Sequence, residues 1–179
     1  DITMNEEDEP VLAGRNDLFF YKPEADKFIR IPVLTEKEKG NPISLTKLRL
    51  VPDRGILVGT DRAGLKFYDR HNRKTETVIP DIQVRDIKQC SENTYWIASE
   101  SGVYILNMAD RSITHLQKSL TNEYTISDNA AYSITKDREG GIWVTTFFGG
   151  INYLPKEYVP FKYFIGGKTH PGMPGNAVR

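Results

Sequence analysis

Side chains with catalytic or ligating chemistry are few in this chain, and they are scattered. His71, His115 and His170 form no pair at metal-ligand spacing, so no metal site is expected. Cys90 stands alone, which excludes an internal disulfide, and no local motif marks it as a nucleophile. Glu139 sits in a charge-rich turn and reads as a solvated residue. Gly166-Gly167-Lys168-Thr169 looks superficially like the end of a phosphate-binding loop, but the glycine spacing is absent and no helix follows. Asp61 and Glu100 are the carboxylates that come nearest to a convergent acid pair. The residues therefore point to no catalytic centre, no metal and no cofactor.

A second group suits binding better. Short polar loops contain Arg15-Asn16, Asp61-Arg62-Ala63, Glu100-Ser101 and Phe147-Phe148-Gly149. Planar hydrogen-bonding groups match the hydroxyls of a sugar, and an aromatic face matches its C–H surface. Arg15 and Arg62 could also hold a uronate or sulfate in a bidentate fork. The alternative for each residue is an ordinary solvated loop. Candidate ligand-binding residues are thus Arg15, Asn16, Asp61, Arg62, Glu100, Ser101, Phe147 and Phe148.

The elements that carry these loops repeat along the chain. Four apolar runs resemble one another: Val11–Arg15, Ile56–Thr60, Tyr95–Ser99 and Ile142–Thr146. Each is followed by a second run, opened by Asp17, Gly64, Gly102 or Gly150, at intervals of roughly 40–50 residues, the period of propeller blades. Stretches of alternating polarity precede them at Leu45–Asp53, Val84–Glu92 and Ala130–Arg138. A fourth strand follows at Lys27–Ile31, Thr75–Ile79, Ser112–Leu116 and Phe161–Ile165. Glycine or asparagine in the turns between the first two strands is expected to supply the positive φ of a hairpin.

The expected fold is all-β: a β-propeller fragment of about four blades, each a four-stranded antiparallel meander. Blades are expected at about 1–31, 43–79, 83–116 and 126–165, with a further blade beginning at 174–179. A β-sandwich is the weaker alternative, because sandwich strands do not repeat in sequence. In the meander the second-to-third-strand loops share one face of the disc with the loops between blades, such as Thr121 to Asp128. Trp96 and Trp143 fall inside second strands and are expected in the core between blades.

Bulk properties narrow the partners. The chain of 179 residues carries 24 basic and 24 acidic residues, so it offers no electrostatic footprint for nucleic acid or an anionic membrane. It has no signal peptide and no apolar run near the ~18 residues of a membrane helix. It opens and closes inside repeats and is read as an excerpt of a longer protein.

The unit Ile126–Phe164 resembles the two-component regulator propeller repeat. Ser127, Asn129, the Asp137-Arg138-Glu139-Gly140 turn, Trp143 and Gly149-Gly150-Ile151-Asn152 carry the likeness. Elsewhere it is looser: Ala98-Ser99 replaces Gly-Thr, and Asp17 replaces a glycine. The resemblance implies a periplasmic sensor region of a Bacteroidetes hybrid two-component histidine kinase, anchored in the inner membrane through parts outside this chain. It implies a polysaccharide-derived oligosaccharide as signal and self-association of the parent as a homodimer. This fragment itself would be no enzyme and would contact neither nucleic acid nor membrane. The alternatives are a propeller scaffold for protein–protein interaction in a surface or secretion protein and, more remotely, a propeller lyase or glycosidase.

Overall fold

The computed structural model describes residues 1–121 and 125–156. It contains four antiparallel sheets, each built from consecutive strands paired in sequence order. The first holds β1 (Ile2–Met4), β2 (Pro10–Ala13), β3 (Asp17–Lys22) and β4 (Lys27–Pro32). The second follows a single-turn helix, α1 (Glu36–Lys39), and holds β5 (Leu45–Val51), β6 (Gly55–Thr60), β7 (Leu65–Asp69) and β8 (Lys74–Ile79). The third holds β9 (Val84–Gln89), β10 (Thr94–Ser99), β11 (Gly102–Asn107) and β12 (Ile113–Leu116). The fourth holds β13 (Ala131–Lys136), β14 (Ile142–Thr146) and β15 (Ile151–Leu154) among the described residues. The expected strand Phe161–Ile165 and the start at 174–179 lie outside them.

The first strands of successive sheets lie side by side, β1 by β5, β5 by β9 and β9 by β13. That is the arrangement of propeller blades around an axis, not of two stacked sheets. Strand alternation then decides which blade pair each side chain joins. On β6, Ile56 and Val58 pack toward the first blade, whereas Leu57 packs toward the third. On β10, Tyr95 and Ile97 join the second blade, and Trp96 and Ala98 join the fourth. All six residues of β6 are buried, because the blade is covered on both faces. Each fully buried Leu or Ile there contributes about 1.5–3 kcal/mol.

Polar bonds lock the inner strands together. Asp1 Oδ2 accepts from the Leu48 N–H at 2.8 Å, and Asp86 Oδ2 accepts from the Ile134 N–H at 3.0 Å. These are the same contact at two blade interfaces. Thr46 Oγ1 donates to the Val84 carbonyl at 2.8 Å, and Arg49 Nε to that of Ile87 at 3.0 Å.

Two expectations need correction. The turn between β5 and β6 takes its left-handed residue at Asp53 (φ 57°), and Ser91-Glu92-Asn93 contains none. Glycine fills the expected role at Gly140 (φ 93°) and, beside Asp53, at Gly55 (φ 150°). Trp143 is not core among the described residues: it is 40% exposed, whereas Trp96 is buried. Alternation along β14 turns Ile142 and Val144 toward the third blade, so Trp143 faces the other way. There it packs against Tyr153 with the rings tilted and their centres 4.3 Å apart, and it donates its indole N–H to Asp137 Oδ2 at 2.9 Å.

Candidate functional site

The loops between second and third strands are fixed to the inter-blade loops by backbone bonds. Asp61 N–H donates to the Ser44 carbonyl at 3.0 Å, Glu100 N–H to that of Gln83 at 3.3 Å, and Phe147 N–H to that of Ala130 at 2.9 Å. Both sets of loops therefore share one face. Gly64 (φ 81°) makes the return into β7 possible: a Cβ there would lie 2.0 Å from the Ile79 carbonyl oxygen. Asp17, at the matching place in the first blade, is not among the positive-φ residues. It pairs instead with Arg30 at 2.8 Å.

Several candidate residues hold the loops rather than facing outward. Asp61 Oδ1 accepts from the Ser44 N–H at 2.8 Å. The Asn16 amide, turned to donate, reaches the carbonyls of Arg15 at 3.1 Å and Ile43 at 3.0 Å. Ser101 Oγ lies 3.1 Å from Ser99 Oγ and 3.3 Å from the Tyr104 hydroxyl. Arg15 and Arg62 are exposed on the first and second blades, and no ion pair holds either among the described residues.

The third and fourth blades bring the remaining candidates together. Arg85 Nε and Nη2 both reach Glu100 Oε1, at 2.7 and 2.5 Å. The same guanidinium lies 5.0 Å from the centre of the Tyr132 ring. Tyr132 stacks with Phe147 at 5.6 Å, and Phe147 meets Phe148 edge-on at 4.4 Å. Phe147 is 59% and Phe148 87% exposed. The result is a continuous surface: carboxylate, guanidinium, then three rings. Cation–π contact of this kind is worth about 0.5–1 kcal/mol at an exposed site.

Sequence reasoning missed Arg85 and Tyr132. They occupy equivalent second positions of β9 and β13, on the side of the strand away from the buried residues. That shared repeat position was the available signal.

The residues of the repeat motif build the loop that presents the rings. Ser127 Oγ donates to the Gly149 carbonyl at 2.7 Å, and Asn152 Oδ1 accepts from the Ser127 N–H at 2.8 Å. Asp128 Oδ2 accepts from the Phe148 N–H at 3.0 Å. That bond, helped by the Ala130 and Asn129 N–H groups and opposed by partial desolvation, holds the Asp128 carboxyl below its ordinary pKa. Asp137 is lowered likewise, first by the Trp143 indole, then by backbone N–H groups of its turn.

Among the described residues, Cys90 and His115 are engaged in the fold. Burial pushes the Cys90 thiol up to about 11. His115 stacks on Tyr104 at 3.9 Å and bonds the Ser101 carbonyl at 2.8 Å. Among the described residues no three His, Cys, Asp or Glu side chains cluster to hold a metal, and no helix is long and apolar enough to cross a membrane.

Comparison with known proteins agrees with this architecture. The two-component regulator propeller family matches residues 125–148. No curated protein matches the chain. The fold is similar to the extracellular domain of a putative one-component system of B. thetaiotaomicron, with a TM-score of 0.72 and 17% identity over 86% of this chain and 21% of that one. It is equally similar to the extracellular domain of a putative hybrid two-component system of the same organism, at 0.72 and 17% over 85% and 20%. A chain of a mitotic checkpoint complex reaches 0.59 at 10% identity, over 86% and 45%, so the likeness carries fold alone. The chain spans about a fifth of the length of the two bacterial structures. It is a β-propeller segment that carries the two-component regulator propeller repeat.

Proposed function

We propose that the chain is part of the extracytoplasmic ligand-sensing domain of a hybrid two-component sensor, and that its ligand is a polysaccharide-derived oligosaccharide. The observation that carries this reading is the surface of Glu100, Arg85, Tyr132, Phe147 and Phe148. It sets exposed ring faces next to a charged, hydrogen-bonding pair. A pyranose needs both: stacking for its C–H face and planar donors or acceptors for its hydroxyls. The repeat matched over residues 125–148, which presents the rings, and the likeness to extracellular domains support the sensor role. Arg15 and Arg62 would extend the site only for a ligand that reaches the first two blades.

A thermal-shift screen of acidic and neutral oligosaccharides tests the proposal. A binding sugar should lose about tenfold or more in affinity with Tyr132→Ala and Phe147→Ala combined, the equivalent of about 1.4 kcal/mol. Unchanged affinity in that double variant would place the ligand elsewhere. Binding of a protein partner through the same rings, with no sugar response, would favour an interaction scaffold.

A further inference from the structure

The disc's opposite face carries a groove whose origin lies in a difference between repeats. At the interface of the second and third blades, the turn after β11 reaches back over the second blade. Met108 is fully buried in the core there. Arg111 places its guanidinium 5.0 Å from the Phe67 ring centre and 2.7 Å from Glu76 Oε1. Phe67 and Glu76 are directly opposed on β7 and β8.

The interface of the first and second blades repeats this frame with different side chains. Arg70 N–H donates to the Arg54 carbonyl as Met108 N–H donates to that of Asn93, so Arg70 stands where Met108 stands. Three residues on, Arg73 (φ 52°) matches Arg111 (φ 62°). Phe20 and Ile29 are opposed on β3 and β4 as Phe67 and Glu76 are. The ring is kept, but the carboxylate is replaced by isoleucine. Arg70 does not fill the gap, because it turns to Glu6 and Glu7. The consequence is a cavity of about 350 Å³ with walls of Phe20, Ile29, Ile31, Ile56 and Tyr68 and with Arg73 among its lining.

Charges around the cavity are otherwise matched. Lys22 is held by Glu9 at 2.7 Å and Arg70 by its two glutamates. Arg73 has no carboxylate among the described residues. We propose that this groove binds a small monocarboxylate with a compact apolar or aromatic body, whose carboxylate takes at Arg73 the place that Glu76 takes at Arg111. The volume lies at the small end of ligand pockets, which suits one ring rather than a sugar chain. The site is independent of the oligosaccharide reading, being built from the first two blades and on the other face.

Phenylacetate is the probe, with phenylacetamide as its neutral counterpart, and isoleucine methyl resonances of the full chain are the readout. Saturable shifts at Ile29, Ile31 and Ile56 are expected with phenylacetate, and binding of phenylacetamide at least about tenfold weaker, since charge-assisted pairs are the stronger ones. Arg73→Gln should remove binding. Ile29→Glu should remove it too, by supplying the carboxylate found at the next interface, and the intact spectrum of that exposed-site variant shows that folding is kept. No saturable shift at tens of millimolar phenylacetate, equal binding of the amide, or undiminished binding in either variant would overturn the proposal.

Discussion

Removing the Asp86 carboxylate should loosen the third and fourth blades at a single point. Its Oδ2 accepts from the Ile134 N–H at 3.0 Å and from Ser133 Oγ at 3.2 Å, and Ile134 is itself buried. Asp86→Ala leaves that N–H unpaired beside a packed core, and with it the N–H of buried Ile87, which donates to Asp86 Oδ1 at 2.9 Å. The desolvation penalty of an orphaned donor is about 1–3 kcal/mol. Ser133 is exposed and regains water, so it adds little, and the Lys47 contact at 3.9 Å is too long to add much. With two donors orphaned the expected loss is about 2–4 kcal/mol, or a Tm about 4–16 °C lower for a chain of this size. Urea unfolding should show a lower midpoint with an unchanged slope, and Ser133→Ala alone should cost under about 0.5 kcal/mol. Asp86→Asn keeps an acceptor and should fall between wild type and Asp86→Ala. A loss below about 0.5 kcal/mol for Asp86→Ala would refute the claim that this bond joins the blades.

Other outcomes follow from single features. Gly64→Ala should cost about 2–4 kcal/mol by thermal denaturation, since it combines a left-handed φ with a Cβ overlapping the Ile79 carbonyl. The Asp128 carboxylate has a folded pKa below its ordinary value, so its hold on the Phe148 N–H is complete above the ordinary aspartate range and is lost as pH falls through the lowered value. The Phe148 amide resonance should therefore titrate below that range and stay flat in Asp128→Asn; a midpoint at or above it would contradict the assignment. Cys90, with a thiol near 11, should react with a thiol reagent at pH 8 far more slowly than free cysteine, and an equal rate would contradict its burial.

The repeat was legible because period-2 strands and their turns are local. The β9 and β13 patterns, and the return into β11 at Gly102, follow from single segments. The helix at Glu36–Lys39 was missed, although Thr35 and Glu38 form a capping box and Glu38 holds the buried Lys66 at 2.7 Å. One helical turn is too short to show a hydrophobic period. Asn16, Asp61 and Ser101 have binding chemistry, yet the fold uses it on neighbouring backbone or hydroxyl groups. The contact of Arg85 with Tyr132 joins residues from different repeats, so only their shared position in β9 and β13 could announce it, and no pattern within one repeat does. Trp143 was misplaced because alternation tells which residues share a face, not which face a neighbouring blade covers.

The most direct measurement of the sensing surface is hydrogen exchange of the chain with and without an oligosaccharide that gives a thermal shift. The account predicts new protection concentrated at Arg85, at Tyr132 and along Phe147–Gly149, with none at the opposite face around Arg70 and Arg73. Protection confined to other loops, or no change at Tyr132 and Phe147 under saturating sugar, would contradict it.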